Sequence, residues 1–127
     1  MYRETVVIVF ALSCLVTAGC GDSHDKVVGD YIAELKNMVN VLEGVETVED
    51  AEKAKSKLKT IGEKIESIIS RKENLGGPGP ALEKTLKEKY GKQHGEIVVK
   101  QLDAMMEIPI RVRLIVQTVT KDIPQLY

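Results

Sequence analysis

The sequence predicts an all-α protein, a small antiparallel bundle of three to four helices, and three observations carry that reading. Beyond residue 25, apolar residues recur at spacings of three and four, the period of helices with one buried face. The segments with this period are separated by strong breakers: Gly44, residues 74–80 and Pro109. No two stretches alternate in a way that would let them pair as strands, and a lone strand would leave its backbone groups unsatisfied.

Over residues 26–43, Val28, Tyr31, Leu35, Met38 and Leu42 mark one face, which Val27, Ile32, Val39 and Val41 widen beyond a two-helix seam. So broad a face needs at least two neighbours, which favours a bundle over a simple coiled coil. Gly44 is placed to end this helix as a left-handed cap. Thr47 with Asp50 then resembles a capping box with Asp in place of Glu, and Glu49 and Asp50 suit the positive start of a helix. Behind them Ala51, Ala54, Leu58, Ile61, Ile65 and Ile68 keep the three-four spacing. The link between these two helices is short, which makes them antiparallel neighbours.

Residues 74–80 read Asn-Leu-Gly-Gly-Pro-Gly-Pro, a hard break, and Pro80 suits the first position of a further helix because its missing amide would be unpaired there anyway. Leu82, Leu86 and Tyr90 mark one face of that helix. Gly91 and Gly95 each lower helix propensity by about 1 kcal/mol relative to Ala, which predicts a kink or break around Lys92-Gln93-His94. Helix resumes through Ile97, Val98, Leu102, Met105 and Met106 until Pro109, which forces a bend or a new start. Residues 110–120 fit two patterns. Ile110, Val112, Leu114 and Val116 alternate with Arg111 and Arg113 as in a strand, whereas Ile108, Val112, Ile115 and Val119 fit a helix; with no strand to pair with, helix is the expected state.

Composition excludes several functions. A net charge of -1, 4% aromatic residues and no tryptophan supply neither the basic surface nor the stacking platform of a nucleic-acid binder, so no nucleic-acid partner is expected. The charge is uneven, however. Residues 22–50 hold eight acidic side chains against Lys26 and Lys36, while residues 51–100 hold twelve basic against seven acidic, a pattern that fits oppositely charged helices packed together. Lys53, Lys55, Lys57 and Lys59 fan over the polar side of the second helix, where a solvated face is the plain reading and an anionic-ligand face the sharper one.

Residues suited to chemistry do not converge. His24 and His94 have no second histidine at ligand spacing, so no metal site is expected, and His94 with Glu96 reads as a solvated pair. Ser56, Ser67 and Ser70 have no base in motif range, and Gly76-Gly77-Pro78-Gly79 is a turn whose proline removes an amide that a phosphate would need. Met105 and Met106 read as core. No catalytic residue, cofactor or small-molecule substrate is indicated.

The most specific signal lies in the first twenty residues. Arg3 and Glu4 precede the apolar run Val6-Val7-Ile8-Val9-Phe10-Ala11-Leu12, too short to span a bilayer, and small residues follow, the layout of a secretory signal. Val16-Thr17-Ala18-Gly19-Cys20 resembles the lipobox of bacterial lipoproteins, departing from the commonest pattern at Thr17, where Leu is more usual. The resemblance implies that residues 1–19 are a signal peptide removed on export and that Cys20 is lipidated, with acyl chains such as palmitate holding the protein on a membrane. Residues 20–25 would then be the anchor and a short polar tether, and residues 26–127 the helical domain. Two alternatives remain: Cys20 as an ordinary cysteine after a conventional cleavage site, or Ala11-Leu12-Ser13-Cys14 as the box, which would leave Leu15 and Val16 on the mature chain. Gly21, not aspartate, follows the cysteine, which by the same resemblance points to the outer membrane, facing the periplasm.

Leu86-Lys87-Glu88-Lys89-Tyr90, together with the helix start Val48-Glu49-Asp50-Ala51, is similar to small uncharacterised helical lipoproteins of planctomycete-type bacteria. That resemblance implies fold and location, since the family has no established activity. Gln125-Leu126-Tyr127 offers no lysine of the kind the murein lipoprotein uses, so covalent attachment to peptidoglycan is not expected. Two functions are left: a structural or protein-interaction lipoprotein of the cell envelope, without catalysis, or a surface module binding a lipid headgroup or glycan through the lysine row. An exposed apolar strip would favour the first, a basic patch free of carboxylates the second.

Overall fold

The first helix, α1 (His24–Glu43), starts where the Ser23 hydroxyl accepts the Lys26 amide at 3.2 Å, and it begins two residues earlier than the apolar period marks. The structure is a computed structural model and describes residues 23–126. Residues 24 and 25, read as tether from the sequence, are therefore the first turn of α1, drawn in by the serine cap. At its other end Gly44 has φ -85° and ψ 0°, a right-handed conformation, not the expected left-handed one. Its amide and that of Val45 reach back three residues to Val41 and Leu42, so the last carbonyls are satisfied without a reversal, and Val45 turns into the core.

Helix α2 (Val48–Leu75) opens on the expected capping box. The Thr47 hydroxyl accepts the Asp50 amide at 3.1 Å, while the Asp50 carboxylate accepts the amides of Thr47 and Glu46 at 3.1 and 3.2 Å. Those donors hold the Asp50 carboxyl below the usual carboxylate range. The helix stops at a glycine break in which Gly76 and Gly79 take φ of 73° and 78°, a region glycine enters without a Cβ clash.

Helix α3 (Pro80–Glu107) runs unbroken through Gly91 and Gly95, contrary to the kink that propensity predicts. Packing on α1 overrides the local cost on both sides of the glycines. The Lys89 ammonium meets the Asp25 carboxylate at 2.7 Å, the Tyr90 hydroxyl donates to the Asp25 carbonyl at 3.3 Å, the His94 and Tyr31 rings stack at 6.1 Å, and Ile97 is buried. Pro109 does end the helix, and α4 (Ile110–Thr120) follows as a helix, as expected. Arg113 secures the corner by donating to the carbonyls of Met106 and Ile108 at 2.7 and 3.0 Å.

The four helices pack as an all-helical bundle. Arg71 with Asp30 at 2.8 Å and Lys64 with Glu34 at 3.9 Å set α2 antiparallel to α1, whereas the Asp25, Lys89, Tyr31 and His94 contacts set α3 parallel to α1. α1 lies against both α2 and α3, and α4 lies against α2, so the order around the bundle is α3, α1, α2, α4. With 11 residues, α4 is about 16 Å long and covers less than half of the 28-residue α2. Residues 121–126, here called the strap, continue along the uncovered part of that side. Ile123 lies against Gly62 and Leu126 is buried, its carbonyl accepting the Lys72 ammonium at 3.0 Å.

Leu42, Leu58, Ile65, Ile108, Val27 and Val116 form the fully enclosed centre, and among the described residues no charged side chain is buried. Stability therefore rests on apolar area. Leu58→Ala should cost about 2–5 kcal/mol in chemical denaturation of the folded domain, whereas Lys59→Ala, on the exposed side of the same helix, should change stability by less than about 0.5 kcal/mol. A Lys59 substitution as damaging as that of Leu58 would show that the basic row is buried against something. The Asp50 carboxyl is depressed in the folded state, so its contribution is present above about pH 4, the unfolded value, and is lost as pH falls through the lower folded value. Asp50→Ala should accordingly flatten the acid limb of a stability-versus-pH curve.

Candidate functional site

Helix α3 carries apolar residues on two sides. Leu86, Ile97 and Ala104 face the core, while Val99, Leu102 and Met106, also three and four residues apart, face outward. Met106 was expected in the core with Met105; Met105 is half-buried against the core, but Met106 is 71% exposed, because residue 105 takes the inward position and the next one points away. Leu82, expected on the face shared by Leu86 and Tyr90, is likewise exposed. Among the described residues, six of the eight large exposed apolar side chains lie within residues 98–114: Val98, Val99, Leu102, Met106, Ile110 and Leu114. At 100° per residue, Val98, Val99, Leu102 and Met106 fall within one arc of about 100° on α3, so these four are grouped and not singly scattered.

Behind Val98 and Leu102 a groove of about 350 Å³ opens between α1, α3 and the strap. Its floor is Tyr31, Leu35 and Met38, and no Asp, Glu, Lys or Arg lines it, in a chain that is 29% charged. Its polar groups are the His94 imidazole, the Thr120 hydroxyl and the Gln101 and Gln125 amides. Burial pushes the Tyr31 hydroxyl above its ordinary pKa, opposed by its hydrogen bond to the Leu126 backbone, so it stays neutral through the physiological range. His94, expected as a solvated partner of Glu96, is instead half-buried and stacked on Tyr31 with the ring planes 28° apart. The aromatic ring about two turns in from the start of α1 drew the imidazole inward.

The lysine row is placed differently. Lys53 and Lys57 are exposed, Lys55 pairs with Glu52 at 3.5 Å, and Lys55 and Lys59 border a groove of about 650 Å³ between α2 and α4 that Glu63, Glu66 and Asp122 also line. Carboxylates thus interrupt the basic surface. Ser70 donates to the Glu66 carbonyl at 3.1 Å within its own helix. Among the described residues no three His, Cys, Asp or Glu side chains gather as a metal site requires, and no helix is long and apolar enough to cross a membrane. Cys20, the alternative Cys14 and the signal-like segment lie outside the described residues.

Comparisons with known protein families, curated proteins and solved structures find no match to this chain, so its surface has to be read from its own residues. Val99 is the residue that sequence reasoning passed over. The signal was present: Val98-Val99 with Leu102 and Met106 gives α3 a second apolar arc beside the one that Ile97 and Ala104 define.

Tyr31 provides a test of the groove. Its raised pKa contributes stability that is present below about pH 10, the unfolded value, and lost as pH rises through the folded value above it. Tyr31→Phe should therefore narrow the difference in denaturant stability between neutral pH and pH near 11, with a loss of about 0.5–1.5 kcal/mol at neutral pH from the missing hydrogen bond.

Proposed function

We propose that this protein is a lipid-anchored lipoprotein of the cell envelope that acts by binding another protein, with no catalytic step of its own. The anchor is the part that rests on the lipobox resemblance: removal of residues 1–19, lipidation of Cys20, and location at the outer membrane facing the periplasm. One acyl chain binds a membrane only reversibly, but two already anchor stably, and a lipoprotein cysteine normally carries two or three. With Ser23 already capping α1, two residues separate Cys20 from the folded domain, which would hold the bundle close over the lipid surface.

The observation that carries the binding role is the exposed apolar arc of α3, made by Val98, Val99, Leu102 and Met106. A surface of this kind at the membrane would be covered by a protein partner, and the uncharged groove behind it extends the contact inward. The alternative, an anionic headgroup or glycan held by Lys53, Lys55, Lys57 and Lys59, has less support because Glu52, Glu63 and Glu66 interrupt the row.

Two measurements test the reading. Cys20→Ala should abolish incorporation of labelled fatty acid, whereas Cys14→Ala should leave it intact; the opposite pattern would move the anchor to Cys14. In-cell crosslinking from a photoreactive residue at Leu102 should capture a protein, and crosslinking from Lys57 should not. Capture of lipid or glycan from Lys57 with nothing from Leu102 would favour the alternative.

A further inference from the structure

The end of the bundle where α1 begins holds a cavity of about 240 Å³. α2 finishes at this end and α3 starts there, so all three helices and the strap contribute to its lining. Val27, Val28, Leu86 and Leu126 form its wall, and all four are buried. The Lys87 ammonium meets the Glu83 carboxylate at 3.0 Å and the Lys72 ammonium donates to the Leu126 carbonyl at 3.0 Å, so a guest finds these charges engaged and the wall hydrocarbon. Such a cavity suits an alkyl chain. An apolar cavity of about 150 Å³ stays dry and holds benzene, and in the same proportion about 240 Å³ holds about ten carbons.

On the anchor reading, the alkyl chain within reach is the protein's own. His24 borders the cavity and follows Ser23, the cap of α1, while Cys20 lies three residues before Ser23, a separation of at most about 11 Å in an extended chain. We propose that the cavity takes the end of one acyl chain of the lipidated Cys20, the remaining chains staying in the membrane. The proposal rests on the anchor reading above and adds a fixed orientation to it. A chain passing from bilayer to cavity exchanges one apolar surrounding for another, because lipid tails are as apolar as leucine. What favours the cavity is contact: atoms around a void lack partners on one side, and the chain supplies them. The short link favours this chain over a free lipid, since groups joined by a short linker meet at an effective concentration of millimolar order. Two chains left in the bilayer still hold the protein there.

With one chain inside the bundle, the end where α1 begins faces the membrane. Tyr90 of α3 is level with Asp25, so Val98 and Met106, eight and sixteen residues further on, stand about 12 and 24 Å above that level. The apolar arc of α3 is then offered to a protein beside the lipid surface and not to the lipid itself.

The full chain, produced in cells supplied with a fatty acid that carries a diazirine at its far end and then reconstituted into unlabelled vesicles of phosphatidylethanolamine and phosphatidylglycerol, provides the test. Irradiation should join the Cys20 peptide to peptides that contain Val27, Val28, Leu86 or Leu126. Leu86→Trp, which fills the cavity, should lower the yield of that crosslink at least about tenfold. Should this variant fail to fold, the position of the crosslink in the unaltered chain, mapped by mass spectrometry, decides. Crosslinks found only on vesicle lipid, or on Val98 to Met106, overturn the proposal while the anchor reading stands; a chain that incorporates no fatty acid overturns both. In a second arm the diazirine is placed on the vesicle phospholipid and the Cys20 chains are left unlabelled. Capture at the cavity there, without capture from Cys20 in the first arm, would assign the cavity to a membrane lipid and overturn the choice of occupant.

Discussion

The apolar seam between α1 and α2 is the constraint on which the other elements depend. Val27, Leu35, Met38 and Leu42 on one helix and Ala51, Leu58, Ile65 and Ile68 on the other belong to a single core, and every one of these side chains is buried. At about 1.5–3 kcal/mol for a fully buried large side chain, the seam outweighs the ion pairs that decorate it, such as Arg71 with Asp30, whose partners are both partly exposed. The pairs set direction more than strength. Because α1 is apolar over a wide arc, the hairpin cannot satisfy itself, and α3 is recruited along the remaining flank of α1.

That recruitment explains why α3 tolerates two glycines. A helix held only by its own propensity would fray there, but Tyr90 and His94 dock on α1 beside the glycines and Ile97 fixes the turn beyond them. Neither Gly91 nor Gly95 has a neighbour within 4 Å of its Cβ position, so they are open places on the outer surface and not points of close approach. The side of α3 away from the core is then free to carry Val99, Leu102 and Met106, all of them exposed.

The fourth side of the bundle is closed by two different kinds of structure. α4 is too short to match α2, and the difference is made up by an irregular strap whose Leu126 closes the core beside Val27, Val28 and Leu86. A helix in that position would have filled both grooves. An extended segment with one leucine and one isoleucine leaves them open, with the buried Tyr31, Leu35 and Met38 at the floor of one of them.

The sequence by itself determined the helices and their first pairing. The three-four spacing, the Thr47 and Asp50 capping box, the glycine break after Leu75 and Pro109 act within a few residues of themselves, so each could be read without knowing its neighbours. The lipobox resemblance at Cys20 is equally local. Only the tertiary structure decided the unbroken course of α3, the stacking of His94 on Tyr31, the exposure of Met106 and the seat of the strap. Each of these turns on a contact between residues far apart in the chain, and spacing along the chain carries no information about which of two apolar arcs a neighbouring helix will cover.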